Sequence, residues 1–329
     1  MSERRNASVR KIGVLTSGGD APGMNAALRA VVRTGIGLGL EVVGIERGFH
    51  GLVYDQIRPM DARSVSGIIY LGGTILRTAR SQEFRTAEGR QRAIETLKRH
   101  GIDGLVAIGG DGTYCGAAAL VGECDVRVIG VPGTIDNDIP GTLYTIGFDT
   151  AVNTALECID RIRDTSEAHE RVFVVEVMGR EAGFIAMESG LAGGAEAVLV
   201  PELPFDMGEL CARVRSWQER GKKSSIIVVA EGAARGEDVA RCIEQSTGIS
   251  ARLTVLGYIQ RGGRPTARDR SLATRLGYTA VKLIAEGQSG AAVGISEGED
   301  VRAYPLAHAV SGKRVLPPDI GDVARITAG

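Results

Sequence analysis

Short apolar runs rich in β-branched residues alternate along the chain with longer stretches whose apolar positions recur at helical spacing. The runs predict strands at Lys11–Ser17, Glu41–Glu46, Gly104–Ile108, Val126–Val131, Arg171–Met178, Ala197–Pro201, Ser224–Glu231 and Arg252–Gln260. Several are apolar throughout, as parallel strands covered on both faces should be. The intervening patterns predict helices at Met24–Thr34, Ala87–His100, Thr150–Arg163, Phe184–Leu191, Met207–Arg220, Glu237–Ser246 and Ala267–Glu286. Gly101 follows the second of these at a position suited to a left-handed C-terminal cap. Such alternation predicts an α/β fold built from βα units, as two doubly wound parallel-sheet domains.

Length agrees, since 329 residues leave room for about two domains. No polar linker stands out, and composition alone would cut the chain near Thr145–Asp149. The chain is 43% hydrophobic but only 4% aromatic, so its cores must rest on Val, Ile, Leu and Ala. Glycine, at 46 residues, gathers in clusters without a period, which implies tight turns and close backbone approaches. A net charge of −1 supplies no field to draw nucleic acid or an anionic membrane, so neither is an expected partner. The five cysteines are odd in number and form no CxxC, which fits reduced thiols. The first ten residues are charged and lack an apolar core, so no secretory leader is expected. No apolar run reaches the ~18 residues of a membrane span. A cytoplasmic protein is expected.

Two predicted strands run into Gly-rich turns that lead towards helices, Ser17-Gly18-Gly19-Asp20 and Gly109-Gly110-Asp111-Gly112-Thr113. Ligands of open α/β sheets bind at the carboxyl ends of strands, where free N–H groups and the helix dipole attract phosphate. Tight packing alone could also require such turns. Neither matches GxxxxGK[ST] or GxGxxG, which disfavours a Walker-type NTPase and a Rossmann dehydrogenase. Asp111 would repel phosphate unless a cation lay between them, and Mg²⁺ held by one carboxylate and phosphate oxygens meets that need. Its alternative is an Asp capping the following helix.

A second acidic segment, Pro132-Gly133-Thr134-Ile135-Asp136-Asn137-Asp138, follows the strand expected at Val126–Val131. If extended, it projects Asp136 and Asp138 to one side. A phosphoryl acceptor is a hydroxyl whose proton needs a base, and an Asp can take it late in a loose transition state. An Asx-turn or a Ca²⁺ loop are the alternatives for this segment. None of the four histidines (His50, His100, His169, His308) lies in a Gly-rich turn. So much negative charge needs arginines, and the candidates are Arg77, Arg80, Arg171, Arg180, Arg252 and Arg261. Arg180 and Arg261 stand out because they follow apolar strands. A second basic set holds Arg29 and Arg33 at i, i+4, with Arg163, Lys222 and Lys223. A solvated helix face explains Arg29 and Arg33 as well as an effector site does.

Thr16–Asn25, Gly109–Thr113, Pro132–Asp138, Val175–Arg180 and Gly257–Gly263 together resemble the bacterial phosphofructokinases, in order and spacing, from about Lys11 to Gly294. The Gly-Gly-Asp-Gly-Thr element also resembles lipid and NAD kinases; Pro-Gly-Thr-Ile-Asp-Asn-Asp is far more specific. The resemblance implies transfer of the ATP γ-phosphoryl group to the 1-hydroxyl of fructose 6-phosphate, with Mg²⁺. It also implies a phosphofructokinase-like fold whose chain crosses between domains, 1–147 plus 260–310 for nucleotide and 148–259 plus 311–329 for sugar phosphate.

Carried over by position, Asp136 would be the general base, with Asp138 and Thr134 beside it and Arg180 on the transferred group. Asp111 would hold the metal, with Gly18, Gly19, Gly110, Gly112 and Thr113 as the phosphate cradle and Arg80 and Ser81 completing the nucleotide site. Ile135, Met178, Gly179, Glu231, Tyr258 and Arg261 would meet the sugar phosphate. Arg171 and Arg252 would reach in from a neighbouring subunit, which implies a homotetramer with shared active sites. Arg29, Arg33, Arg163, Glu196, Lys222 and Lys223 match an allosteric nucleotide site.

Three positions depart from the pattern. Tyr258 replaces a common His, Ala62 an effector Arg, and Ser224 another His. Pyrophosphate-dependent members tend to carry Asp at 112 and Lys at 133; both are glycine here, which favours ATP. The rival readings are a pyrophosphate-dependent enzyme and a non-catalytic binder of sugar phosphate or nucleotide.

Overall fold

The computed structural model describes residues 9–169 and 171–328. Residues 1–8, on which most of the expected leaderless stretch falls, lie outside the described residues. The chain forms two compact units. One takes the described residues up to Thr134, then Ile139–Asp149 and Arg261–Arg314; the other takes Ile135–Asp138, Thr150–Gln260 and Val315 onward.

In chain order the elements up to Gly147 are β1 (Lys11–Ser17), α1 (Met24–Gly37), β2 (Glu41–Ile45), α2 (Phe49–Val53), β3 (Ile57–Met60), α3 (Ala87–Arg99), β4 (Gly104–Gly109), α4 (Asp111–Glu123), β5 (Arg127–Thr134) and β6 (Ile146–Gly147). There follow α5 (Phe148–His169), β7 (Val172–Val177), α6 (Phe184–Ala192), β8 (Ala197–Leu199), α7 (Met207–Glu219), β9 (Ser225–Ala230), α8 (Gly236–Thr247) and β10 (Ala251–Val255). The chain then forms α9 (Ala267–Ala285), β11 (Ala291–Ile295), β12 (Val301–Pro305), α10 (Leu306–Ala309) and α11 (Ile320–Thr327).

The first unit holds a sheet of order β12-β11-β5-β4-β1-β2-β3, with β6 paired to β5. Its inner pairs are parallel, and only the edge strands β3 and β12 run antiparallel. All six residues of β4 are buried, as a strand covered on both faces requires. Helices α1 and α9 cross closely, and a Cβ at Gly277 would lie 2.7 Å from the Ala27 carbonyl oxygen. The second unit holds the all-parallel sheet β10-β7-β9-β8. Leu210, Val214 and Trp217 of α7 and Val239 and Ile243 of α8 pack on it in a core that includes Val174, Ile227 and Val229.

Several expected bounds move. The strand expected at Val126–Val131 continues to Thr134, because Gly109↔Pro132 still pairs in register and β6 pairs beyond it. The strand expected at Arg252–Gln260 stops at Val255; Gly257 turns left-handed at φ 52° and opens a 3₁₀ turn, Gly257–Arg261. Arg261 therefore does not follow its strand directly. Helix α5 outruns the expected Thr150–Arg163 at both ends. Leu105 has no exposed surface in β4, and Leu105→Ala is expected to cost ~2–5 kcal/mol of unfolding free energy in a denaturant titration. A loss under about 1 kcal/mol would contradict tight packing there.

Candidate active site

Strand order in the first unit reverses between β1 and β4. From β1 the chain moves to β2 on one side, and from β4 it moves to β5 on the other. The carboxyl ends of two such strands flank the crevice where open α/β sheets bind ligands. Both Gly-rich turns lie there. Thr113 Oγ1 donates to the Ser17 carbonyl at 3.0 Å and ties the two turns together. A Cβ at Gly109 would sit 2.3 Å from that hydroxyl, so the tie requires glycine. Gly18 is left-handed at φ 83°. Gly110 lies against Thr134 at the end of β5, 3.3 Å from its Cβ by the same measure.

Asp111 is the first residue of α4, and the N-cap is Gly110, with no side-chain cap bond. The capping alternative for Asp111 is thus not what the helix adopts. Among the described residues no three His, Cys, Asp or Glu side chains converge to hold a metal. A single carboxylate suits Mg²⁺, which keeps water and substrate phosphate oxygens as its other ligands. Burial, and after it the Asp111 carboxylate, push the Cys115 thiol upward, so it adds no second anion. Arg80 is exposed. Ser81 opens the 3₁₀ turn Glu83–Arg85, its Oγ accepting from Phe84 N at 3.2 Å. Arg261 lays its guanidinium over Gly19, with Nη1 2.9 Å from where a Cβ would stand.

In the second unit, Asp136 and Asp138 are each only 5% exposed. Asn137 between them is left-handed at φ 54°, so the expectation of an extended segment fails, and alternation no longer fixes the side to which the carboxylates point. Asn tolerates this conformation better than most residues. Arg180, also at φ 54°, directs Nε to within 3.5 Å of Asp136 Oδ2. Its turn is fixed by Glu231, whose Oε1 accepts from Gly179 N at 3.3 Å and Arg180 N at 2.9 Å. Gln260, fully buried, accepts from Met178 N and donates to the Gly257 carbonyl, joining this turn to the 3₁₀ turn that carries Tyr258. Tyr258 is 77% exposed.

Arg171 and Arg252 sit elsewhere in the same unit. Arg171 precedes β7, and Arg252 pairs with Phe173 near the amino ends of β10 and β7. Arg180 follows the carboxyl end of β7. The six residues of β7 put roughly 20 Å between those ends. Arg252 also lies 3.8 Å from Glu244.

Of the effector candidates, the second unit gathers Arg163, Lys222 and Glu196. The Glu196 carboxylate is buried; Lys222 Nζ lies 2.8 Å away and Arg163 Nη1 3.7 Å away, and Ile226 N donates to it. Arg163 also donates to the Gly193 and Gly194 carbonyls at 2.6 and 2.8 Å. Lys223 is exposed on the same unit, whereas Arg29 and Arg33 stand on α1 of the first. Ala62 is exposed and Ser224 half-buried.

The Phosphofructokinase family model matches residues 11–284. The chain belongs to the phosphofructokinase family. A Thermus thermophilus relative, ATP-dependent 6-phosphofructokinase 1, is 59% identical over 308 residues, covering 93% of this chain and 95% of the relative. The structure of phosphofructokinase from Saccharomyces cerevisiae superposes with a TM-score of 0.85 at 36% identity, over 97% of this chain. This chain spans 48% of that longer yeast chain. A pyrophosphate-dependent phosphofructokinase from Marinobacter aquaeolei gives a TM-score of 0.84 at 25% identity, over 95% of this chain and 88% of its own. The fold thus extends to a family member named for pyrophosphate as its donor.

Gln260 was missed as a site residue by sequence reasoning, although it stands inside a quoted motif; only its burial and two bonds reveal its role. A Cβ at Gly232 would fall 1.9 Å from the Arg180 carbonyl oxygen. Gly232→Ala should therefore displace the Arg180 turn and cost ~1–3 kcal/mol in thermal or chemical denaturation. An unchanged midpoint would contradict that close approach.

Proposed function

We propose that this chain transfers the γ-phosphoryl group of ATP to the 1-hydroxyl of fructose 6-phosphate, giving fructose 1,6-bisphosphate and ADP in glycolysis. The observation that carries this reading is the buried Asp136 carboxylate facing the Arg180 guanidinium. The 59%-identical Thermus relative, an ATP-dependent 6-phosphofructokinase, agrees with it. In the reaction the sugar hydroxyl oxygen forms a bond to the γ-phosphorus, the bond to the ADP oxygen breaks, and ADP keeps that electron pair. Asp136 accepts the hydroxyl proton, a task worth ~10²–10⁴ in rate. Arg180 follows the charge of the moving phosphoryl group, and Asp138 and Thr134 stand beside the base.

The cradle for the nucleotide phosphates is Gly18, Gly19, Gly110, Gly112 and Thr113, with Arg80 and Ser81 at its margin. Asp111 would hold Mg²⁺, which when bound neutralises the donor phosphate oxygens. Met178, Gly179, Glu231, Ile135 and Tyr258, and by resemblance Arg261, are the residues we assign to the sugar phosphate. Tyr258 offers a hydroxyl without charge. By resemblance the sugar phosphate also takes Arg171 and Arg252 from a neighbouring copy, and their place at the opposite strand ends from Arg180 within one chain is consistent with that. That sharing is met by a homotetramer.

ATP is the donor we favour over pyrophosphate. A Cβ at Gly112 would meet nothing within 4 Å, so neither packing nor a left-handed φ demands glycine there. The open space is what an α-phosphate needs. Gly133 is different, since a Cβ there would come within 3.1 Å of Ile108 and Met24. Intact Asp111, Asp136 and Asp138 argue against a non-catalytic binder. At the effector set, an incoming anionic ligand would compete with Glu196 for Arg163 and Lys222. No helix among the described residues is long and apolar enough to cross a membrane. The free thiols suit the cytoplasm.

Asp136→Asn should lower kcat by ~10²-fold or more with a modest change in KM, measured by coupled assay of ADP. Near-wild-type turnover would remove Asp136 from the proton transfer. Asp111→Ala should weaken the Mg²⁺ dependence of nucleotide use, and an unchanged Mg²⁺ titration would count against the metal assignment. Gly112→Ala should leave stability equal or higher by up to about 1 kcal/mol while raising KM for ATP. Unaltered ATP kinetics would show that the space is not used.

A further inference from the structure

Asn25, the second residue of α1, is 1% exposed and spends its amide on a single loop. Its Nδ2 donates to the carbonyls of Leu71 and Gly72, at 3.3 and 3.1 Å, and its Oδ1 accepts from Ile75 N at 2.9 Å. That loop has no strand or helix, and beyond a few turn bonds such as Arg77 N to the Thr74 carbonyl its backbone groups are met by side chains. Thr16 adds two ties from the end of β1. Its hydroxyl donates to the Arg77 carbonyl at 2.9 Å, so in its 2.9 Å contact with Thr74 the Thr74 hydroxyl is the donor. Thr78 closes the set by donating to the Gly18 carbonyl at 2.5 Å, which joins the loop to the first Gly-rich turn. Two residues later the chain reaches the exposed Arg80.

We infer that Asn25 is a positioning residue for phosphoryl transfer, acting through the loop Leu71–Thr78 to set Arg80 and the Gly18 side of the phosphate cradle. The inference rests on the proposed kinase reading for the role of Arg80. The chemistry is specific to an amide. An aspartate would keep the acceptor for Ile75 N but oppose the two carbonyls, and an aliphatic side chain would leave three backbone groups without their partner. A residue that only stabilised the loop would lower the melting temperature and leave the kinetics of folded enzyme unchanged. One that acts through Arg80 must couple energetically to it.

The test is a double-mutant cycle on the full chain with Asn25→Ala, Arg80→Ala and the pair. Each variant is checked for folding by circular dichroism and assayed for kcat and for KM of ATP and of fructose 6-phosphate. Asn25→Ala is expected to lower kcat/KM for ATP by roughly tenfold or more. The double variant should fall within about threefold of Arg80→Ala alone. Two losses that multiply in full, or wild-type kinetics from Asn25→Ala, would overturn the inference. Should Asn25→Ala fail to fold, Thr78→Val, which removes only the tie to Gly18, takes its place in the cycle under the same two criteria. Wild-type turnover is measured first. Its absence would sink the kinase reading alone, and the cycle would then be read from the Kd of ATP by calorimetry, with coupled losses expected and independent losses contradicting the inference.

Discussion

Carboxylates withdrawn from water must meet positive charge, and this requirement shapes the candidate site. Asp136 and Asp138 are almost wholly buried, where an uncompensated negative charge would be costly. Arg180 answers Asp136 directly, from a backbone held left-handed. That conformation is unfavourable for a side-chain-bearing residue. Glu231 offsets the cost by binding the two N–H groups of the turn. A carboxylate thus fixes a guanidinium that serves another carboxylate. The same logic governs Glu196, buried and answered by Lys222 and Arg163.

The first unit meets negative charge in another way, with backbone. Adjacent parallel strands β1 and β4 diverge in topology, and their ends present N–H groups and helix dipoles where phosphate can sit. Thr113 locks the two turns to each other, and Thr78 locks the first of them to the neighbouring loop. Neutral dipoles suit a ligand that must be bound and released at each turnover, because they require no ionised partner. The segment that carries the acidic residues leaves this unit at Thr134 and enters the other at Ile135, so one strand feeds both chemistries.

Much of this was legible in the sequence where burial on both faces imposes a continuous apolar run. Lys11–Ser17 and Gly104–Ile108 read correctly for that reason. The edge strands β3 and β12 did not, since Ile57–Met60 and Val301–Pro305 are antiparallel and largely uncovered, the first broken by Pro59 and the second ended by Pro305. Helix α4 was given no bounds from the sequence, and it carries Gly112, Gly116 and Gly122, poor helix formers. Motifs singled out Asp111, Asp136 and Arg180 as candidates, but not the backbone that orients them. The left-handed Asn137 broke the alternation rule, and no local pattern announces the polar anchors Asn25 and Gln260, since Asn25 reaches Leu71 46 residues away and Gln260 reaches Met178 82 residues away. The arginines Arg171 and Arg252 were identified by resemblance; their place at the amino ends of β7 and β10 is a matter of topology.

The central claim is that the chain uses ATP to phosphorylate fructose 6-phosphate, and the open space at Gly112 is what favours that donor. Initial rates with fructose 6-phosphate, measured in parallel with ATP and with pyrophosphate at matched Mg²⁺, test it most directly. The account predicts formation of fructose 1,6-bisphosphate with ATP and little with pyrophosphate. Turnover with pyrophosphate alone, or none with either donor, would contradict it.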